Sequence, residues 1–244
     1  MNLLGGLYTL RNRTRDSWRY HFQVPAQSFM VSGGRLECDS SELGQFVWRR
    51  LCPIVGTRPF PPHELMLMCA AMLWLRPKMV IEWGTNIGVS ARVFYEVNVR
   101  YKIGAEIHSI DLPDSVSHHE HPGHWCGVLV RGVPVFLHRG DGPTVAAALL
   151  RERACQAPLV FIDGDHEKES VLRDAYTILE VAPEAGLLFH DTFYQPTSSY
   201  NHGPYEAVQI ILGHLGKSAQ VIEAGLGCPG MTLILSSTSR HVNR

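Results

Sequence analysis

The chain has 244 residues, a formal net charge of −1, 45% apolar residues and 18% charged residues. Those totals fit one large domain, or one domain with an N-terminal extension, built on a substantial core. They exclude a global field for nucleic acid or an anionic membrane, and Arg11, Arg13, Arg15 and Arg19 read as a solvated terminal face rather than a basic binding stripe.

The six cysteines are scattered with no CxxC pair. Cys52, Cys69 and Cys155 lie in apolar or helical surroundings, as reduced buried thiols do, so a reducing, cytoplasmic compartment is expected. The first apolar run, MNLLGGLYTL, is followed by arginines rather than preceded by them, and no small-residue cleavage site follows. That order is wrong for a signal peptide. The most apolar stretch, residues 65–75, is too short to span a bilayer.

Residues 1–62 read as an irregular extension or cap ahead of a domain at 63–244. Gly33 and Gly34 mark a turn, and Pro53, Pro59, Pro61 and Pro62 forbid one continuous helix. Pro62 then opens HELMLMCAAMLWLRP, apolar nearly all round, which predicts a buried helix ending before Pro77. From residue 78 short apolar strands alternate with helices. The strands are expected at 79–83, 107–111, 135–138, 159–163, 187–190, 221–224 and 231–235, and the helices at 89–99, 144–153, 169–181 and 205–215. This alternation predicts an α/β fold with a doubly wound, mostly parallel, seven-stranded Rossmann-like sheet and helices on both faces. Only AGLGCPG joins the last two strands, too little for a crossover helix, so they form an antiparallel hairpin.

Ligands in such sheets sit beyond the carboxyl ends of the strands. Each of the first five ends carries acidic or histidine groups: Glu82, Asp111, His138 to Asp141, Asp163, and His190 with Asp191. The first strand runs into EWGTNIGVS, where Gly84 and Gly88 bracket a tight turn and Asn86, tolerant of a left-handed backbone, stands between them. Asp111 closes the next strand, near the spacing at which a carboxylate accepts from both ribose hydroxyls. Asp141, in HRGDG, lies on the same rim, where it can accept from an adenine amino group.

EWGTNIG, IHSID and RGD together resemble the cofactor site of class I S-adenosylmethionine-dependent methyltransferases over residues 63–236. The resemblance implies a cofactor site of Glu82, Gly84, Thr85, Asn86, Gly88, Asp111, Asp141 and Asp163. Glu82 would lie near the methionine part and Asp111 at the ribose. The terminal hairpin fits that family; Asn86 in place of glycine is a departure.

The next two strand ends are LVFIDGDHEKE and LLFHDTF. They bring Asp163, Asp165 and His166 into one turn, and His190 with Asp191 onto the neighbouring strand. With adjacent strands about 4.8 Å apart, these groups can converge on one ion. Oxygen ligands favour Mg²⁺, and histidine extends the choice to Mn²⁺, Fe²⁺ or Zn²⁺. IDGDH with FHDTF is similar to the cephalosporin-hydroxylase-like and sugar O-methyltransferase branch of the class. That resemblance implies metal ligation by Asp163 and Asp191, with His190 where the branch often has another carboxylate. His166, Asp165 or His190 is then the candidate base for an acceptor hydroxyl; Asp165 as a helix cap near Glu167 is the structural alternative.

HHEHPGHW at 118–125 reads as a polar lid or, with its four histidines, a transition-metal tract. FYQPTSSYNHGP at 193–204 is a second loop over the same rim, suited to acceptor contacts. The function expected is transfer of a methyl group from S-adenosylmethionine to a hydroxyl of a small molecule, a sugar or a natural product. No nucleic-acid or membrane partner is expected, and a homo-oligomer remains open. Two alternatives stand beside it: an NAD-dependent oxidoreductase and a non-catalytic S-adenosylmethionine-binding protein. An iron oxygenase would need a two-His, one-carboxylate triad, normally on another scaffold.

Overall fold

The computed structural model describes residues 29–32, 35–38, 40–116, 122–155, 157–196 and 202–236. The chain divides between Asp39 and Ser40 into two units. In the first, β1 (Phe29–Ser32) pairs antiparallel with β2 (Arg35–Cys38), Phe29 opposite Cys38. The Gly33–Gly34 turn between them lies outside the described residues, as do the arginines near the start.

The second unit opens with α1 (Ser40–Phe46), a π-helical turn (Val47–Leu51) and α2 (Cys52–Val55). These turns bury Leu43, Phe46, Val47, Leu51 and Val55, so the stretch before Pro59 is more regular than its prolines imply. Apolar spacing wins there because Pro53 sits in the first turn of α2, where a missing N–H costs nothing.

α3 (Pro62–Leu75) is buried nearly all round, as its composition requires, and ends at Arg76 in a left-handed conformation just before Pro77. The main sheet follows. β3 (Met79–Trp83), β4 (Glu106–Asp111), β5 (Phe136–Arg139), β6 (Leu159–Ile162), β7 (Gly186–His190), β8 (Gln220–Ala224) and β9 (Met231–Leu235) lie in the order β5-β4-β3-β6-β7-β9-β8. The first five are parallel; β9 runs antiparallel to both β7 and β8. The expected seven strands, the parallel majority and the closing hairpin are all present.

α3 and α4 (Val89–Tyr101) cover one face of this sheet. α5 (Gly142–Arg153), α6 (Lys168–Val181) and α7 (His202–Leu215) pack the other. The core between the sheet and this second face includes Ile81, Ile110, Val160, Ile162, Leu187 and Phe189. β3 has β4 on one side and β6 on the other, so strand order reverses there and a crevice opens beyond its carboxyl end. Among the described residues no helix is long and apolar enough to cross a membrane.

Candidate active site

A cleft of about 1310 Å³ lies along that crevice. It runs from Asp111 and Asp141 on one side, across Gly84 to Asn86, to Asp163, His166, His190 and Asp191 on the other. Residues 57–61 and the Cys228–Pro229 pair complete its far wall.

The β3–α4 turn is held by the neighbouring strand: the Gly84 and Thr85 amides both donate to the Ile110 carbonyl. Gly84 has φ +89°, and a Cβ there would stand 2.1 Å from the Asp163 carbonyl oxygen. The bare backbone is therefore required by the adjacent β6 strand end, whatever ligand approaches from the cleft. Gly88 also takes a positive φ, and Asn86 adopts the left-handed conformation at φ +46°. The Asn86 amide donates to Asp111 Oδ2 at 3.1 Å, and its carbonyl accepts from Gly127.

Asp111 also accepts from its neighbour Leu112 through Oδ1, and Cys126 Sγ lies 3.4 Å from Oδ2. Each carboxylate oxygen offers two lone-pair sites, so these three donors leave Asp111 one on Oδ1 for a hydroxyl in the cleft. Thr85 is buried, its hydroxyl 2.6 Å from Ser109 Oγ.

Glu82 does not line the cleft. It is fully buried beneath it and accepts from the hydroxyls of Ser90 (2.6 Å) and Ser109. Burial raises its pKa to about 7, against the two serine hydrogen bonds that lower it. It braces the loop through α4 and β4.

Asp141 lines the cleft but has partners of its own. It is the N-cap of α5, accepting from the Thr144 amide and hydroxyl, and its other oxygen pairs with Arg173 at 3.2 Å. Arg173 also holds Asp174, which accepts from the Trp83 indole at 2.9 Å. Gly142 and Gly164 are glycines because Trp83 leaves no room: an added Cβ would meet the indole at 2.5 and 2.7 Å. His138 turns from the rim to His108, 3.0 Å away.

On the far side, His190 is buried among three carboxylates. Its Nδ1 is 3.0 Å from Asp163 and 3.3 Å from Asp191, and its Nε2 is 3.2 Å from Glu64. Burial opposes a charge on the ring, but Asp163, Asp191 and Glu64 outweigh it and hold its pKa well above the usual histidine range. Asp191 is buried too, which works against its charge. Hydrogen bonds from His166 (2.8 Å) and His190 nonetheless bring its pKa far below the usual carboxylate range. Asp191 has φ +56°, a conformation that Asp tolerates better than bulkier residues and that turns its carboxylate back to these histidines.

Asp165 accepts from the Glu167 amide at 3.3 Å, just before α6, where the capping alternative would put it. Its pKa is lowered: burial opposes the charge, and bonds from Ser170 and the Glu167 amide more than compensate. His166 lies beside it, with one ring nitrogen on Asp191 and the side chain 40% exposed at the cleft.

Ligand atoms of Asp163, His190 and Asp191 all lie within 4.8 Å of one another, a spacing that can hold a metal ion. The donor set fits one, with the cation taking the place of the second ring proton that the three carboxylates favour on His190. With Nε2–H turned to Glu64, Nδ1 is the nitrogen that faces the two aspartates, the carboxylate–histidine arrangement common behind metal ligands.

Of the histidine tract, His118, His119 and His121 lie outside the described residues, while His124 packs against Trp125 on an exposed turn. In the second loop, Tyr194 stacks on His202 and Tyr205, and residues 197–201 lie outside the described residues.

The motif reading missed Glu64, Ser90, Ser109 and Asp174. Glu64 had a visible signal, a lone carboxylate in an otherwise apolar helix. The serines had none.

A family described as a methyltransferase domain matches residues 81–192, from inside β3 to just past β7. No curated protein matches the chain by sequence. Among solved structures, the chain is similar to the Podospora anserina methyltransferase PaMTH1, bound to S-adenosylhomocysteine (17% identity, 93% of this chain and 95% of that one, TM-score 0.50). It is similar to CalS11, a TDP-rhamnose 3'-O-methyltransferase of calicheamicin biosynthesis (14%, 88% and 99%, 0.51). It is also similar to TomG from Streptomyces achromogenes, an O-methyltransferase of tomaymycin synthesis (17%, 90% and 96%, 0.50). At these identities the likeness to solved structures is one of fold. Together with the matched domain it agrees with the resemblance read from the sequence: residues 81–192 match a methyltransferase domain, and the fold is shared with solved methyltransferases.

Proposed function

We propose that the protein transfers a methyl group from S-adenosylmethionine to a hydroxyl of a small molecule, a sugar or natural-product acceptor, with help from a divalent cation. The observation that carries this reading is one continuous cleft with two unlike ends: a carboxylate with a remaining acceptor site at Asp111, and a cluster at Asp163, His190 and Asp191 spaced to hold an ion. CalS11 and TomG, a sugar O-methyltransferase and an O-methyltransferase of tomaymycin synthesis, support the acceptor class. The scattered free thiols fit a cytoplasmic setting.

S-adenosylmethionine supplies an electrophilic methyl on a sulfonium, so the protein must hold it, bring up an oxygen and manage that oxygen's proton. Asp111 would hold the ribose, the turn at 84–88 the amino-acid end, and the rim around Asp141 the adenine. Asp163, His190 and Asp191 would hold the cation, whose role there is to acidify the acceptor hydroxyl. His166, fixed by Asp191 through one ring nitrogen, presents the other as the proton acceptor. That same 2.8 Å contact favours a second reading, in which His166 works without a cation.

Two measurements test this. In a direct titration, S-adenosylhomocysteine should bind at least ~10-fold tighter than NAD. Asp111→Ala should lose ~10-fold of that affinity, about 1.4 kcal/mol. Tighter NAD binding would hand the cleft to an oxidoreductase. Chelation should then stop turnover, and add-back of Mg²⁺ or Mn²⁺ restore it; full turnover in excess chelator leaves the His166 reading standing.

A further inference from the structure

Glu64 is the least expected charge in the molecule. It lies in the first turn of α3, fully buried in a helix otherwise almost wholly apolar, and 126 positions in sequence from His190. A buried carboxylate is costly unless its oxygens are bonded, and both of these are, with His63 Nε2 also 3.8 Å from Oε1. Oε1 accepts from the Gly230 amide at 2.7 Å, and Oε2 meets His190 Nε2 at 3.2 Å. The helix N-terminus adds a favourable dipole.

The two partners belong to different parts of the cleft. Gly230 directly follows Cys228 and Pro229, which line its far wall. Its own backbone is pressed against Phe193, with a Cβ at that position only 2.5 Å from the Phe193 nitrogen. His190 is the ring whose Nδ1 faces Asp163 and Asp191. The edge of Phe60 closes on the same ring from the side, centroids 4.7 Å apart, so packing restrains its tilt but does not choose which nitrogen faces the aspartates.

We infer that Glu64 is a positioning residue: it accepts a hydrogen bond from His190 Nε2–H, so that Nδ1 is the nitrogen that gives up its proton to a cation in the cleft, and it ties that arrangement to the wall at 228–230. A carboxylate suits this post because it only accepts; at its position it cannot satisfy a ring turned the other way with an unprotonated nitrogen towards it. This inference rests on the proposed cation site for its consequence, but not for its geometry.

Glu64→Gln keeps the volume and an acceptor for Gly230, and removes the charge behind the ring. Three readings are taken on wild type and variant: the nitrogen-bound ring proton of His190 by ¹⁵N-edited NMR, Mn²⁺ affinity by titration, and S-adenosylhomocysteine affinity as the control for fold. The wild type should show a slowly exchanging Nε2 proton on His190. In Glu64→Gln that signal should be lost or exchange rapidly, Mn²⁺ affinity should fall ~10-fold or more, and S-adenosylhomocysteine should bind within about twofold of wild type. An unchanged His190 proton signal in the variant overturns the inference even where Mn²⁺ binds. If the wild type binds no Mn²⁺ but its Nε2 signal is present and disappears in the variant, the cation reading falls and the positioning role stands. Should Glu64→Gln fail to fold, Glu64→Asp replaces it. The shortened side chain should retain the Gly230 contact while the His190 signal shifts; an unshifted signal overturns the inference equally.

Discussion

On the β3–β4 side of the cleft, Asp111 is held by the amides of Asn86 and Leu112, while Glu82 is held by two serine hydroxyls. On the β6–β7 side, Asp163, Asp191 and Glu64 surround one histidine, and a second histidine closes on Asp191. Neutral donors hold Asp111 and Glu82, with an ion pair only farther along that rim at Asp141 and Arg173; ionic contacts hold the second side. On the proposed reading the difference suits two tasks. A ribose is neutral and needs a preset acceptor, whereas an acceptor hydroxyl must lose a proton, which calls for charges that can be rearranged. The two sides are not independent, because Gly84 of the first lies against the Asp163 carbonyl of the second.

The largest effect should come from breaking the ionic side alone. Asp191→Asn preserves the left-handed backbone, which Asn accepts, but removes the charge that meets both His166 and His190. Turnover should fall ~1000-fold, about 4 kcal/mol of barrier, while S-adenosylhomocysteine affinity stays within about twofold. An equal loss of both would mean that the cleft behaves as one unit.

The neutral side has its own signature in pH. Glu82 has a folded pKa of about 7 against an ordinary value of 4.5. Between those values the unfolded chain has released a proton that the folded chain keeps, so stability must fall as pH rises through the interval and level off above it. The span corresponds to about 3 kcal/mol. Urea unfolding at pH 5 and pH 8 should show that loss in the wild type and a shallower one in Glu82→Gln. Identical slopes would place the pH dependence elsewhere.

The smallest effect sharpens the roles of two carboxylates on one rim. Asp141 already caps α5 and pairs with Arg173, so Asp141→Ala should cost about 1 kcal/mol of stability. It should weaken S-adenosylhomocysteine less than Asp111→Ala does. Thermal melts beside titrations of both variants give the ranking, and a reversed ranking would make Asp141 the principal cofactor contact.

The succession of strands and helices, the closing hairpin, and the placing of Asp111, Asp163, His190 and Asp191 on strand ends were legible in the sequence. Each depends on local periods and spacings: apolar runs of five, a Gly-Thr-Asn-Ile-Gly turn, and a final linker too short for a helix. What each side chain does at its strand end was not legible. Glu82 and Asp111 both lie near the ends of β3 and β4 and on the same face, but Glu82 pairs with Ser109, two residues short of Asp111, so one is buried on serines beneath the rim and the other faces the cleft. Asp141 and Asp165 were read as ligand or base candidates, and each carries a helix-end bond that chain neighbours supply. Glu64 shows the limit most clearly. Its charge stood out in the helix, but its partners, Gly230 and His190, lie 166 and 126 positions away. Only packing α3 against the sheet brings them together. Elements and rim follow from short-range periodicity; which rim carboxylates face the cleft and which brace it depends on burial and hydrogen-bond partners, and those exist only once distant segments meet.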